Sequence, residues 1–192
     1  MSEEKNELIH DEMSKLIIRT VEEMVTQNGA AGINVRKVLQ KLNISNRVFY
    51  NRFHNIDEVL AIVYKSTIIK VRESTTSSFD PEKDFFEQVM DMVTNSLIAS
   101  YDAKMRFNQY VFENDSRNSG NYEWWVDEIK KLISYAGSRE LIKEVDADIL
   151  SYSIWCFCRG FNADAVARNL PRDEAVRRFR YSFSFLLEGL KR

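Results

Sequence analysis

Only 6 glycines and 2 prolines stand among the 192 residues, about a third of the usual share for these two. Sheets joined by tight turns draw on both residues, glycine for positive φ and proline for a fixed φ. A chain this poor in them is directed toward helices, and the predicted fold class is all-α. With 44% hydrophobic and 29% charged residues, the chain can bury a core of one large or two small domains and is not of disordered composition.

The apolar spacing divides the chain. Leu8, Ile9, Met13, Leu16, Ile17, Val21, Met24 and Val25 recur at steps of three and four, predicting a long first helix that stops at Asn28-Gly29. Beyond the linker from Gly29 to Gly32, Asn34 can cap a short second helix carrying Val35, Val38, Leu39 and Leu42. Asn43 can end it in the left-handed conformation, and Ser45 can cap a third helix with Phe49 and Phe53 inside. Asn55 caps a fourth helix through Val71, ended by the polar break from Ser74 to Ser78. Asp80-Pro81 reads as a cap with proline at the first helical position of a fifth helix, and residues 104–114 form a sixth. A seventh carries Trp124 and Trp125, an eighth begins near Val145, and Leu170-Pro171 separates it from a ninth that runs to Leu190. The expected domains are 1–55, a connecting helix over 56–76, and a helical bundle over 77–192.

Several functions lose support at once. The longest apolar run, Ile154 to Cys158, is far short of the roughly 20 residues of a membrane span. The acidic start MSEEKNELIHDEM lacks the basic and apolar regions of a signal peptide, so a cytoplasmic protein with no membrane partner is expected. Cys156 and Cys158 are the only cysteines and read as small core residues, while His10 and His54 are the only histidines. Neither set supports a metal site, a cofactor or catalytic residues, and a carboxylate-bridged di-metal bundle would need two Glu-x-x-His pairs. The chain is not expected to be an enzyme.

Charge distribution says more than net charge, which is -2. Between Asn34 and Asn55 lie Arg36, Lys37, Lys41, Arg47 and Arg52 with no acidic residue, whereas the remaining 22 basic residues face 29 acidic ones. This basic island covers two short helices flanking a tight turn, the arrangement of a helix-turn-helix. In that motif the second helix enters the major groove, so its inner side needs bulky apolar anchors and its outer side needs hydrogen-bonding groups. Phe49 and Phe53 are the anchors. Asn46, Arg47, Tyr50 and Asn51 are the candidate base readers, since Arg suits guanine and Asn suits adenine. Asn34, Arg36, Lys37, Lys41, Ser45 and Arg52 are the candidate phosphate contacts.

At these residues the sequence resembles the tetracycline-repressor (TetR/AcrR-like) family of bacterial transcriptional regulators. Val35-Arg36-Lys37-Val38 followed by Ile44-Ser45-Asn46-Arg47-Val48-Phe49-Tyr50-Asn51-Arg52-Phe53 is similar to the family's second and third helices, with Tyr-x-x-Phe its most telling part. Asn43 stands where the family usually has a turn glycine. Ile56 stands where it usually has a lysine that touches phosphate. The resemblance implies nine helices, a homodimer, and an inducer held inside the C-terminal bundle.

The C-terminal pattern can be read independently. In the ninth helix Val176, Phe179, Phe183, Leu186, Leu187 and Leu190 share one sector, while Tyr181 and Phe185 lie nearly opposite, with Ser182 and Gly189 between. In the eighth, Ser153, Cys156, Gly160, Ala163 and Ala167 share a side with Ile149, and Leu150, Ile154, Phe157 and Phe161 fill another. The expected dimer interface is therefore Ile149, Ser153, Cys156, Gly160, Ala163, Tyr181, Ser182, Phe185 and Gly189. Aromatic residues crowd the middle of the chain, and Phe86, Met90, Phe107, Tyr110, Trp124, Trp125, Tyr152 and Trp155 are the expected pocket for an apolar or aromatic small-molecule effector. The reading as a whole is a dimeric, ligand-responsive repressor of double-stranded DNA with a near-palindromic operator. The alternative is a helical protein-interaction module that has lost specific DNA binding.

Overall fold

The computed structural model describes residues 8–30, 32–75, 79–102 and 120–192. Eight helices are formed among them: α1 (Glu12–Asn28), α2 (Val35–Leu42), α3 (Asn46–Tyr50), α4 (Ile56–Thr75), α5 (Phe85–Asp102), α6 (Gly120–Ser138), α7 (Ala147–Ala167) and α8 (Arg172–Leu190). The helix expected over 104–114 lies outside the described residues. None of the described helices is long and apolar enough to cross a membrane.

Local chemistry accounts for most of the boundaries. The Asn34 side chain accepts the Lys37 N–H at 3.1 Å and starts α2. Asn43, at φ 51° and ψ 46°, ends it in the left-handed region, which lets Ile44 N–H donate back to the Leu39 carbonyl at 3.1 Å. Asparagine enters that region more cheaply than most side chains, so the turn closes without glycine. The Asn55 side chain accepts the Glu58 N–H at 2.9 Å over the first turn of α4.

Four expectations need correction. The first helix starts at Glu12, leaving Leu8 and Ile9 outside it, because Asp11 and Ser14 form a reciprocal capping box there. Ser45 occupies the cap position of α3 without a side-chain cap bond. Asp80-Pro81 opens a turn rather than the fifth helix: Lys83 N–H donates to the Asp80 carbonyl, and the Gln88 side chain bonds both the N–H and the carbonyl of Asp80. Asp84, accepting Glu87 N–H at 2.8 Å, then caps α5. Finally, Cys156 is exposed rather than in the core.

Two clusters of buried side chains hold the helices together. Ile17 and Val21 of α1, Val38 of α2, Phe49, Phe53, and Val59 and Val63 of α4 form the first, all 2% exposed or less. Val89, Met90 and Leu97 of α5, Ile154 of α7, and Phe179, Phe183 and Leu187 of α8 form the second, with the Phe179 and Phe183 rings stacked 5.5 Å apart. Helix α4 packs on both α1 and α5. The C-terminus is held by an antiparallel bridge between Ile142 and Lys191.

The turn at Asn43 is testable. Asn43→Gly should leave stability nearly unchanged, whereas Asn43→Val, β-branched in a left-handed position, should lower it by about 1–3 kcal/mol in urea unfolding. A valine variant as stable as the parent would contradict the left-handed turn.

Candidate nucleic-acid interface and bundle cavity

Helix α3 has five residues, too few for a helix that stands alone. It persists because Phe49 is fully buried and Phe53, just beyond its end, is 1% exposed, with the two rings 5.7 Å apart. That burial sets the outward direction of the rest. Asn46, Arg47, Tyr50 and Asn51 are all exposed. Tyr50 leans edge-on against Phe49 at 5.5 Å, which steadies its ring without covering it. Asn51 follows the helix as its C-cap, and its carbonyl accepts Ile9 N–H at 2.9 Å, so the segment before α1 is laid along the end of α3.

The candidate phosphate contacts divide. Arg36, Lys37, Lys41 and Ser45 are exposed, with Lys37 Nζ donating to the Gly32 carbonyl at 2.6 Å and Lys41 Nζ near Glu23 at 3.2 Å. Such exposed partners exchange at little cost. The Asn34 side-chain oxygen already serves as the α2 cap. Arg52 is placed differently from the expectation. Its Nε donates to Asp11 Oδ1 at 2.8 Å, its Nη2 reaches Asp11 Oδ2, and its Nη1 donates to the Val48 carbonyl at 2.8 Å. With its side chain only 13% exposed, it fastens α3 to the start of α1 rather than facing outward. Sequence reading missed this pair because the carboxylate lies 41 residues away, although Asp11-x-x-Ser14 carries the signature of a cap. The Arg52 guanidinium, helped by the Ser14 N–H, holds the Asp11 carboxyl well below the usual carboxylate range. Ile56, at the start of α4, is half-buried against the first core, which accounts for an apolar residue there.

On the far side of the molecule, α7 and α8 turn apolar groups outward. Ile149, Tyr181 and Phe185 are 66%, 69% and 64% exposed, and Ser153, Cys156, Gly160 and Gly189 are exposed beside them. Ala163 and Ser182 are half-buried. A Cβ added at Gly160 or Gly189 would meet no atom within 4 Å, so packing within the chain does not require glycine at either place.

A cavity of about 140 Å3 lies between α4, α5, α6 and α7. Trp125 and Trp155 line it as expected, among aliphatic groups that include Ile68 and Val71 of α4. The other expected pocket residues are elsewhere. Met90 is packed in the second core, and Phe86 borders a separate apolar void of about 60 Å3. Trp124 lies outside the cavity beneath the Arg72 guanidinium, 4.7 Å from its ring centre. Tyr152 is 55% exposed and meets Tyr122 on the surface, because α7 turns that position away from the bundle. Phe107 and Tyr110 lie outside the described residues. Polar residues that the sequence did not single out also line the cavity: Ser96, Ser100, Asn121, Glu128, Arg159 and Asn162. Isolated polar residues on apolar helix faces were the available signal. The Cys158 thiol borders the cavity too, and burial pushes it up to about 12.

No protein-family model matches the sequence, and no curated protein matches it. Solved structures do match in three dimensions. A TetR-family transcriptional regulator from Pectobacterium atrosepticum is 14% identical over 94% of this chain and 94% of its own, with a TM-score of 0.76. The fatty acid degradation regulator FadR from Bacillus halodurans is 13% identical over 90% and 95%, with a TM-score of 0.69. The ketosteroid transcriptional regulator KstR2 of Mycobacterium tuberculosis is 12% identical over 96% and 97%, with a TM-score of 0.65. The chain therefore has the all-helical fold of the TetR-family regulators.

The Asp11–Arg52 pair sets a pH dependence. A carboxylate whose folded value is depressed contributes stability above its unfolded value, about 3.9, and loses it as pH falls through the lower folded value. Asp11→Asn should thus unfold at lower urea concentration than the parent at pH 7, with the difference fading below about pH 4. A difference that stays constant down to pH 2.5 would mean that the carboxylate's charge is not what holds the pair.

Proposed function

We propose that the protein is a sequence-specific DNA-binding transcriptional regulator, a ligand-responsive repressor acting as a homodimer on a near-palindromic operator. The observation that carries this reading is α3 itself: a short helix anchored by Phe49 and Phe53 that leaves Asn46, Arg47 and Tyr50 exposed within a basic surface. Arg47 and Asn46 have the donors and acceptors that distinguish guanine and adenine in the major groove. Arg36, Lys37 and Lys41 supply the phosphate contacts that orient the helix and make binding salt-dependent. Arg52 has a positioning role, through Asp11. The fatty acid and ketosteroid regulators that share the fold support a regulatory reading over an interaction module, and packing against the first core accounts for an apolar residue at Ile56.

Dimerisation brings the outward faces of α7 and α8 together, burying Ile149, Tyr181 and Phe185 against a second copy and using Gly160 and Gly189 for close approach. Two α3 helices then enter successive major grooves about 34–36 Å apart. Effector control acts through α4, whose Val59 and Val63 belong to the first core while Ile68 and Val71 border the cavity. Arg72 ties this helix to α6, donating to the Gly120 carbonyl at 3.1 Å and to Asn121 Oδ1 at 3.0 Å. An effector that binds more tightly to one bundle shape shifts α4, and with it the spacing of the two α3 helices.

Selection from a random duplex pool at two salt concentrations should enrich an inverted repeat, with weaker binding at the higher salt. Recovery of no DNA would overturn the reading. On the selected site Arg47→Ala should cost about 1–3 kcal/mol and relax base preference, whereas Lys41→Ala should weaken all sequences alike. Gly160→Leu should leave the protomer folded, since the added side chain meets open space, but should yield a monomer in light scattering with loss of operator affinity. A leucine variant that remains dimeric would place the interface elsewhere.

A further inference from the structure

The cavity in the helical bundle has a chemical preference that can be read from its polar atoms. The Asn162 amide of α7 donates through Nδ2 to Ser100 Oγ of α5 at 2.7 Å, and Ser100 in turn donates to the Ser96 carbonyl at 3.0 Å. This relay runs one way and uses one N–H of the Asn162 amide and the Ser100 hydroxyl proton. Among the described residues Asn162 Oδ1 is left buried without a hydrogen-bond partner, on a residue that lines the cavity together with Ser100 and Ser96. A buried acceptor with no donor is costly, and the cost is relieved by any ligand that brings one.

The charged side chains at the wall do not call for a charged ligand. Glu128 is held by Lys131 Nζ at 2.5 Å, and the Arg159 guanidinium lies over the Trp155 ring at 5.7 Å. They are opposite in sign, and each is engaged within the protein. Thr75 donates to the Val71 carbonyl and Asn121 Oδ1 accepts from Arg72; apart from these and the Cys158 thiol the remaining wall is aliphatic, thioether and indole surface, and a volume of about 140 Å3 is close to that of cavities that take a single benzene-sized ring.

We propose that the cavity binds a neutral, single-ring apolar molecule bearing one hydrogen-bond donor, a phenol or an alcohol of similar size, with the donor on Asn162 Oδ1 and the ring between Trp125 and Trp155. This rests on the ligand-responsive reading above and narrows it. An apolar molecule of the same shape without the hydroxyl would exclude solvent from Asn162 Oδ1 and return no bond. A carboxylate would place an acceptor against an acceptor. Its charge would also be stripped of water in a largely apolar cavity.

The test uses p-cresol, toluene, 4-methylanisole and benzoate on the 192-residue chain without DNA, read by tryptophan fluorescence, because Trp125 and Trp155 line the site. Saturable binding of p-cresol about tenfold tighter than toluene is expected from one added hydrogen bond to a buried acceptor, with 4-methylanisole no better than toluene and benzoate weakest. In Asn162→Leu, similar in size and lacking the acceptor, toluene binding should persist and the advantage of p-cresol should disappear. Equal binding of p-cresol and toluene, binding of neither, or tighter binding of 4-methylanisole or benzoate would each overturn the proposal on the unaltered protein. The two readings fail separately. A protein that selects no operator but prefers p-cresol refutes the regulator, and one that selects an operator but shows no preference refutes this ligand class.

Discussion

Burial of Phe49 and Phe53 is the interaction on which the N-terminal half depends. Five residues cannot sustain a helix by their own hydrogen bonds, because nucleating the first turn is unfavourable and only a few further bonds follow it. The two rings bring α3 against Val38, Val59 and Val63, so its existence and its orientation come from the same contact. Everything outward of that contact is then placed without a further device: with Phe49 inside, Asn46, Arg47 and Tyr50 have nowhere to point but out. The Arg52–Asp11 clasp adds a second fastening at the same C-terminal end of α3 and joins it to the cap of α1.

Helix α4 is the shared element. Its first half completes the N-terminal core, and its second half forms a wall of the bundle cavity. A helix transmits displacement along its axis better than a loop does, because its own backbone bonds resist bending. The ties at Arg72 lie where α4 meets α6, with the guanidinium over Trp124, one residue from Trp125, and bonded to the Asn121 that borders the cavity. The wall of the cavity and the core that holds α3 are thus joined through packed side chains of one helix rather than through a flexible linker.

Much of this was legible in the residue order, where the physics is local. Asn34, Asn43 and Asn55 act within three or four residues of themselves, so their capping and turn roles follow from the chain alone. The two faces of α8 follow from a repeat of 3.6 residues, and Phe179 and Phe183 are inside while Tyr181 and Phe185 are outside as that spacing requires. Arg52 is the instructive contrast. In the sequence it belongs to a basic run, and only the return of the chain to Asp11 turns it inward. Tyr152 differs in the same way: an aromatic residue between polar ones gives no sign of whether its side of α7 meets α6 or open solvent.

The sequence by itself determined the helical class, the order of the helices, the basic face of the short pair and the outward apolar stripes, because each depends on residue type and on periodicities of a few positions. Tertiary structure alone decided which polar groups meet. Asp11 and Arg52 are 41 positions apart and Ser100 and Asn162 are 62 apart; no local pattern couples them. The unpaired oxygen of Asn162 arises only when α5 and α7 are brought together, since hydrogen-bond satisfaction is a property of neighbours in space.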